Sequence, residues 1–280
     1  MKNLAYYNGK LGEIEEISVP MTDRVLYFGD GIYDATCSRN YKIFALDEHV
    51  DRFFNSAKLL DINLPISKEE LKDLLKELVT KMDTGENFIY FQASRGSNVI
   101  RNHVFDKDIQ ANILINMFHK DLIDVYKKIS LITLEDTRYF HCNIKTLNLI
   151  PSVMASQKAK LSGAFEAVLH RNGRVTECAH SNVSILKNGT FITAPTDNLI
   201  LSGIARKHLI KACNKLGITV IERAFNLEEL FDADEIITSS ATTFCLSAST
   251  IDGKIVGGKA PELLKSIQDE IMREYKEETN

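Results

Sequence analysis

Apolar residues along this chain follow two rhythms. Up to residue 46 they come in short runs broken at Asn8-Gly9 and at Gly29-Asp30-Gly31. Asn-Gly between apolar runs favours a tight hairpin, so this stretch is expected to form short strands. At Asp47 the spacing changes: Val50, Phe53, Phe54, Ala57 and Leu60 recur as one helical face, with Asp47 as the expected N-cap. A second helix is announced by Ser67 and Glu70 as a capping box, followed by a stripe of Leu71, Leu74, Leu75, Leu78 and Met82. Strands are expected at about 87–95 and 110–118.

Between Phe118 and Lys128 the pattern weakens into His119-Lys120-Asp121-Leu122-Ile123-Asp124, the expected connection between two domains. Beyond it the spacing predicts a strand at 129–135 and a helix from Pro151, where proline suits a first turn. Strands turning at Asn172-Gly173 and Asn188-Gly189 should fill 164–194, and a helix from Ser202 to Leu216 should close at Gly217. Strands at 218–223, 234–239 and 244–256 should then precede an amphipathic helix from Pro261. The reading is α+β in class, with a smaller α+β domain over 1–120 and a larger α/β domain over 121–280 that carries Lys145.

Composition narrows the chemistry. With 280 residues, 44% hydrophobic and 26% charged, the chain reads as an ordinary globular protein. A net charge of −4 without a basic cluster gives no reason to expect a nucleic-acid partner. No run approaches a membrane span or a signal peptide. Five scattered cysteines, Cys37, Cys142, Cys178, Cys213 and Cys245, lack a Cys-x-x-Cys pair, so no metal site is expected and reduced thiols in a cytoplasmic protein are.

Lys145 lies in Asn143-Ile144-Lys145-Thr146-Leu147-Asn148-Leu149, among apolar and small polar residues. A partly desolvated lysine can become the neutral amine that attacks an aldehyde. A solvated strand lysine whose stem covers apolar surface has the same local sequence.

Further motifs accompany it. Phe28-Gly29-Asp30-Gly31-Ile32-Tyr33-Asp34, Glu48-His49-Val50-Asp51-Arg52, Ile144-Lys145-Thr146-Leu147-Asn148, Val175-Thr176-Glu177 with Ser181-Asn182-Val183, and Leu201-Ser202-Gly203-Ile204-Ala205-Arg206 stand in an order and spacing that resembles the fold-type IV pyridoxal-phosphate enzymes, the class IV aminotransferases. The likeness runs from about Tyr7 to Gly253 and is strongest to the D-amino-acid transaminase branch. It implies a two-domain subunit, a homodimer, and pyridoxal 5'-phosphate held between the domains.

The resemblance makes Lys145 the Schiff-base lysine and the acid and base at the substrate Cα. It sets Glu177, which local pattern alone would read as a surface strand residue, against the pyridine nitrogen. Arg52 falls off the apolar stripe of its helix, so pattern alone reads it as solvated, whereas the resemblance carries it to the cofactor phosphate. Ile204 and Ala205, at a helix start with free N–H groups, and Ser240 and Ala241 complete the expected phosphate cup. Ala205 and Ala241 stand where the family usually has threonine, and Cys178-Ala179-His180 replaces small polar residues. Ser239, Ser240 and Thr242 lie close enough in sequence to compensate, while for His180 contact with the cofactor and simple packing both stay open. Arg101 and His103, with Tyr33, match the set that traps the substrate carboxylate in D-specific members, the Arg-x-His pair coming from the other subunit. By pattern alone that loop is merely polar.

The activity so implied is transamination between a D-amino acid, such as D-alanine or D-glutamate, and a 2-oxo acid. A branched-chain L-amino-acid transaminase, an aminodeoxychorismate lyase and a cofactor-binding protein without turnover are the alternatives.

Overall fold

The computed structural model describes residues 1–280. Its contacts divide the chain into two units, Met1–Asp121 with Ile144–Asn148 and Lys276–Asn280, and Leu122–Asn143 with Leu149–Tyr275.

In the first unit the chain runs through β1 (Asn3–Tyr7), β2 (Lys10–Gly12), α1 (Val25–Phe28), β3 (Gly31–Arg39), β4 (Lys42–Ile43), α2 (Leu46–Leu59), α3 (Lys68–Val79), β5 (Asn87–Ser94) and β6 (Asn112–His119). The strands make one antiparallel sheet in the order β2-β1-β6-β5-β3-β4. Alternation explains the packing: every second residue of β5 and β6 is buried, and Ile89, Phe91, Ile115 and Met117 join Val50 and Phe53 of α2 and Leu71 and Leu75 of α3 in one core. The Ser67 capping box forms as expected, Ser67 Oγ accepting from Glu70 N at 3.2 Å and Glu70 Oε2 from Ser67 N at 2.8 Å.

The second unit holds β7 (Lys128–Glu135), α4 (Ile150–Leu161), β8 (Glu166–Arg171), β9 (Arg174–Cys178), β10 (Asn182–Lys187), β11 (Thr190–Thr193), α5 (Ile204–Lys215), β12 (Thr219–Glu222), α6 (Leu227–Asp232), β13 (Glu235–Ser239), β14 (Leu246–Ile251), β15 (Lys254–Ile255) and most of α7 (Pro261–Glu278). Its sheet runs β12-β11-β10-β13-β14-β7-β8-β9, with β15 on β14. The β11/β12, β14/β7 and β7/β8 pairs are parallel and the others antiparallel. Leu131, Val168, Val183, Ile185, Ile236 and Leu246 fill its core. The whole is an α+β protein.

Three local differences from the sequence reading have physical causes. α2 begins at Leu46 rather than after Asp47: Ala45, at φ 49°, is the N-cap, and its N–H donates to Glu278 Oε1 at 2.8 Å. Asp47 lies in the first turn and pairs with Lys72 at 2.7 Å. The single-turn α1 buries no residue and therefore leaves no apolar stripe to read. The Lys145 segment, expected with the larger domain, makes its contacts in the first unit instead. Thr146 bridges Ile32, Lys145 O accepts from Tyr33 N at 3.0 Å, and Gly31 O accepts from Leu147 N at 3.0 Å.

Candidate active site

Lys145 is held by its backbone. Besides the bond from Tyr33, its own N–H donates to Ser56 Oγ on α2 at 3.3 Å. Close approach to β3 depends on Gly31, where an added Cβ would stand 2.4 Å from Ala93 O and 2.7 Å from Leu147 Cδ1. The half-buried lysine side chain lies with Nζ 4.2 Å from the centroid of the Tyr33 ring. Tyr33 in turn stacks on Tyr90, with centroids 5.5 Å apart and planes at 25°.

Beside this strand lies a buried ionic group. Asp34 points inward with Ile32 and Thr36, and it is fully buried. Arg52 Nε donates to its Oδ2 at 2.8 Å and Arg52 Nη2 to its Oδ1 at 2.7 Å, while His49 Nδ1 reaches Oδ1 at 2.7 Å. Burial works to raise the Asp34 carboxyl, but Arg52 and His49 outweigh it and hold it well below the usual carboxylate range. Burial pushes the His49 imidazole down, against the pull of Asp34, and the charges of Arg52 and Lys145 add to that fall. Arg52 is thus not the solvated charge its helix pattern suggests. It lies three residues after His49, on the edge of the same helical face, and its side chain is only 12% exposed.

Arg101 and His103 occupy an exposed loop after β5. The Arg101 guanidinium lies 4.6 Å from the Phe28 ring centroid, and the His103 ring lies 5.1 Å from the same ring. Within one chain these two residues therefore gather on Phe28, and Tyr33 gathers with Lys145.

The second unit carries Glu177, buried at 6% exposure rather than on the surface. Its Oε2 accepts from Asn182 Nδ2 at 2.8 Å and Leu201 N at 3.1 Å, and its Oε1 is ion-paired with Arg138. Arg138 also forks onto Asp136, with Nε to Oδ1 and Nη2 to Oδ2 both at 2.9 Å. Burial opposes ionisation of Asp136, yet the hydrogen bonds and charge of Arg138, with Arg171, lower it to about 2. Burial likewise opposes the Arg138 charge and is outweighed by Asp136 and Glu177, which hold the guanidinium protonated.

Ile204 and Ala205 begin α5 and are buried at 8% and 7% exposure, and no side chain caps that helix start. Gly203 fits there because an added Cβ would fall 1.9 Å from Asn182 Oδ1. Asn182 stands opposite Ser239 in the β10/β13 register, and the Ser239 hydroxyl is buried without a partner. Ser240 opens a tight turn, its Oγ 2.9 Å from Thr243 Oγ1 and its carbonyl accepting from Thr243 and Phe244 N–H, so Ala241 lies within that turn. The His180 ring is paired through Nδ1 with buried Glu166, whose Oε1 also accepts from His180 N at 2.7 Å.

An uncapped, buried helix start beside an orphaned hydroxyl is a donor set suited to a phosphate. A buried carboxylate braced by Arg138 and Asn182 suits a protonated ring nitrogen. The residues present fit pyridoxal phosphate. No group of three or more His, Cys, Asp or Glu could hold a metal ion.

Sequence reasoning missed Asp34, Asp136, Arg138 and Asn182 as site residues. Asp34 had a signal, since an acid at an inward strand position must find partners. Arg138 follows β7 in an irregular stretch and had none.

Residues 31–251 match the amino-transferase class IV family, and the chain belongs to that family. It is 39% identical over 257 residues to a D-alanine aminotransferase of Listeria monocytogenes serotype 1/2a (strain 10403S), covering 90% of this chain and 89% of that one. To a D-alanine aminotransferase of Bacillus licheniformis it is 37% identical over 276 residues, covering 98% and 97%. Among solved structures it is similar in fold to a branched-chain amino acid aminotransferase from Escherichia coli. The TM-score is 0.91 at 22% identity, over 100% of this chain and 97% of that one.

Proposed function

We propose that this chain exchanges the amino group of a D-amino acid, such as D-alanine or D-glutamate, with that of a 2-oxo acid, using pyridoxal 5'-phosphate. The observation that carries the reading is Lys145, a half-buried amine above the Tyr33 ring whose backbone is fixed on both sides. The curated relatives are named for D-alanine, which supports the choice of substrate. When bound, the cofactor supplies an aldehyde for amines and a ring that accepts electrons from the substrate. Lys145 would hold the cofactor at that aldehyde through Nζ and would move the proton at the substrate Cα. Glu177, held in place by its Arg138 pair, would keep a proton on the ring nitrogen. The N–H groups of Ile204 and Ala205, with Arg52, Ser240 and the turn at Ala241, hold the phosphate. Tyr33 binds the substrate carboxylate together with Arg101 and His103 from the other subunit.

A homodimer fits this reading. Met21, Val99, Ile100 and Val104 in the first unit, and Ile150, Val153, Met154 and Leu161 in the second, expose more than half of their surface. Such side chains invite a second copy. No helix is long and apolar enough to cross a membrane, and all five cysteines are free, which supports a reducing compartment such as the cytoplasm.

The test is reconstitution with pyridoxal phosphate, borohydride reduction and peptide mapping, followed by a donor scan against 2-oxoglutarate. An adduct on Lys145 and turnover of D-alanine or D-glutamate are expected. An adduct on another lysine, or a clear preference for L-leucine, would overturn the reading, and pyruvate release from aminodeoxychorismate without an acceptor would replace it with the lyase.

A further inference from the structure

We infer that Arg24 is a positioning residue for substrate recognition: it fixes the backbone at Asn102 and His103 and so holds Arg101 and His103 in place before any substrate arrives. The inference rests on the reading that Arg101 and His103 bind the carboxylate.

In the loop between β5 and β6, residues 99 to 108 are all exposed within the chain, and the bonds they make among themselves are short-range ones, Val104 N to Asn102 Oδ1 at 3.2 Å and Asp108 N to Asp106 Oδ1 at 3.0 Å. Two buried arginines tie the loop to the body of the unit. Arg24, only 3% exposed, donates from Nη1 to Asn102 O at 2.7 Å and from Nη2 to His103 O at 3.2 Å, gripping two successive carbonyls of the loop. Its third edge is occupied, since Nε donates to Asp30 Oδ2 at 2.8 Å. Asp30 also accepts from Arg95 Nε, and the Arg95 guanidinium lies 3.8 Å from the Phe105 ring centroid farther along the loop. The Arg24 guanidinium lies 4.8 Å from the centroid of Phe28, the ring on which Arg101 and His103 also rest.

One guanidinium thus ties the loop backbone, the Asp30 carboxylate and the ring under the binding side chains into a single unit. A planar fork with donors at three edges can do this; a lysine ammonium, which reaches one point, cannot. Fixing the carboxylate donors in advance removes an ordering cost from each binding event.

The experiment uses the cofactor-loaded enzyme and compares wild type with Arg24→Ala, Arg24→Lys, Arg101→Ala and the Arg24→Ala/Arg101→Ala double variant. Two quantities are read: the KM for D-alanine against kcat, and inhibition by propionate, a carboxylate without an amine. Arg24→Ala should raise both the KM and the propionate inhibition constant by about ten-fold or more while kcat falls much less. Arg24→Lys should recover only part of that loss. In the Arg101→Ala background, Arg24→Ala should add little, because the group it positions is gone. Additive losses, or a fall in kcat with unchanged KM and propionate inhibition, would overturn the inference and leave Arg24 a general scaffold residue. If Arg24→Ala does not fold, Arg24→Lys alone and in the Arg101→Ala background reads the same non-additivity. An Arg101→Ala enzyme with an unchanged KM for D-alanine would instead overturn the carboxylate reading itself, whatever Arg24 does.

Discussion

Each unit of the molecule buries an aspartate paired with an arginine, and the two pairs are built to opposite ends. In the first unit both oxygens of Asp34 are committed to Arg52 and His49, so the carboxylate fixes the direction of a cation. In the second unit Arg138 stands in the middle, forked onto Asp136 on one side and paired with Glu177 on the other, so the cation fixes the direction of a second carboxylate. One unit presents a braced arginine and the other a braced glutamate. The same ion-pair chemistry yields either sign, depending on which partner lies at the end of the chain of bonds.

The largest expected effect comes from cutting the longer chain. Arg138→Ala takes the shared cation from two carboxylates at once, leaving Asp136 with Arg171 and the Thr176 hydroxyl and Glu177 with Asn182 and the Leu201 N–H, and removing one partner of a buried ion pair typically costs about 3–5 kcal/mol. Urea unfolding should show that loss, together with weakened cofactor retention. Arg52→Ala strands only Asp34, which keeps His49 and the Ala35 N–H, so a smaller loss of roughly 2–3 kcal/mol is expected. If Arg52→Ala proved the more damaging of the two, the asymmetry between the pairs would not hold.

Acid separates the pairs more gently. A carboxyl whose folded pKa is depressed contributes stability in full above its unfolded value and loses it as the pH falls through the folded value. For Asp136 that window runs from 3.8 down to about 2. Unfolding measured across this range should show wild type converging on Asp136→Asn as the pH drops. Convergence near neutral pH would mean that the pairing contributes nothing. The smallest effect is a control remote from both pairs: Ser67→Ala should cost about 1 kcal/mol through loss of the α3 cap, with turnover unchanged.

Much of the fold could be read from the sequence because period and punctuation agree along most of the chain. The α3 stripe behind its Ser67 box and the hairpins at Asn172-Gly173 and Asn188-Gly189 are set by neighbours in sequence. What escaped was set by distant residues. Ala45 caps α2 with help from Glu278, and the Lys145 segment joins β3 through backbone bonds that no periodicity announces. The site divides the same way. Lys145 and Glu177 stand in recognisable motifs, but Arg138 is defined by what it touches, and Arg52 was misjudged by pattern because its partner lies on another strand.

The close approach at Gly31 reaches beyond structure into what mutagenesis can recover. With Ala93 O and Leu147 Cδ1 both inside 3 Å of any added Cβ, even alanine must displace a neighbouring strand or the lysine segment. In a randomised library screened for activity, position 31 should therefore return glycine alone, while exposed positions such as Asn55 on α2 of the same unit accept almost anything. Efforts to retune the enzyme have their freedom at such surface positions and none where β3 meets the Lys145 segment.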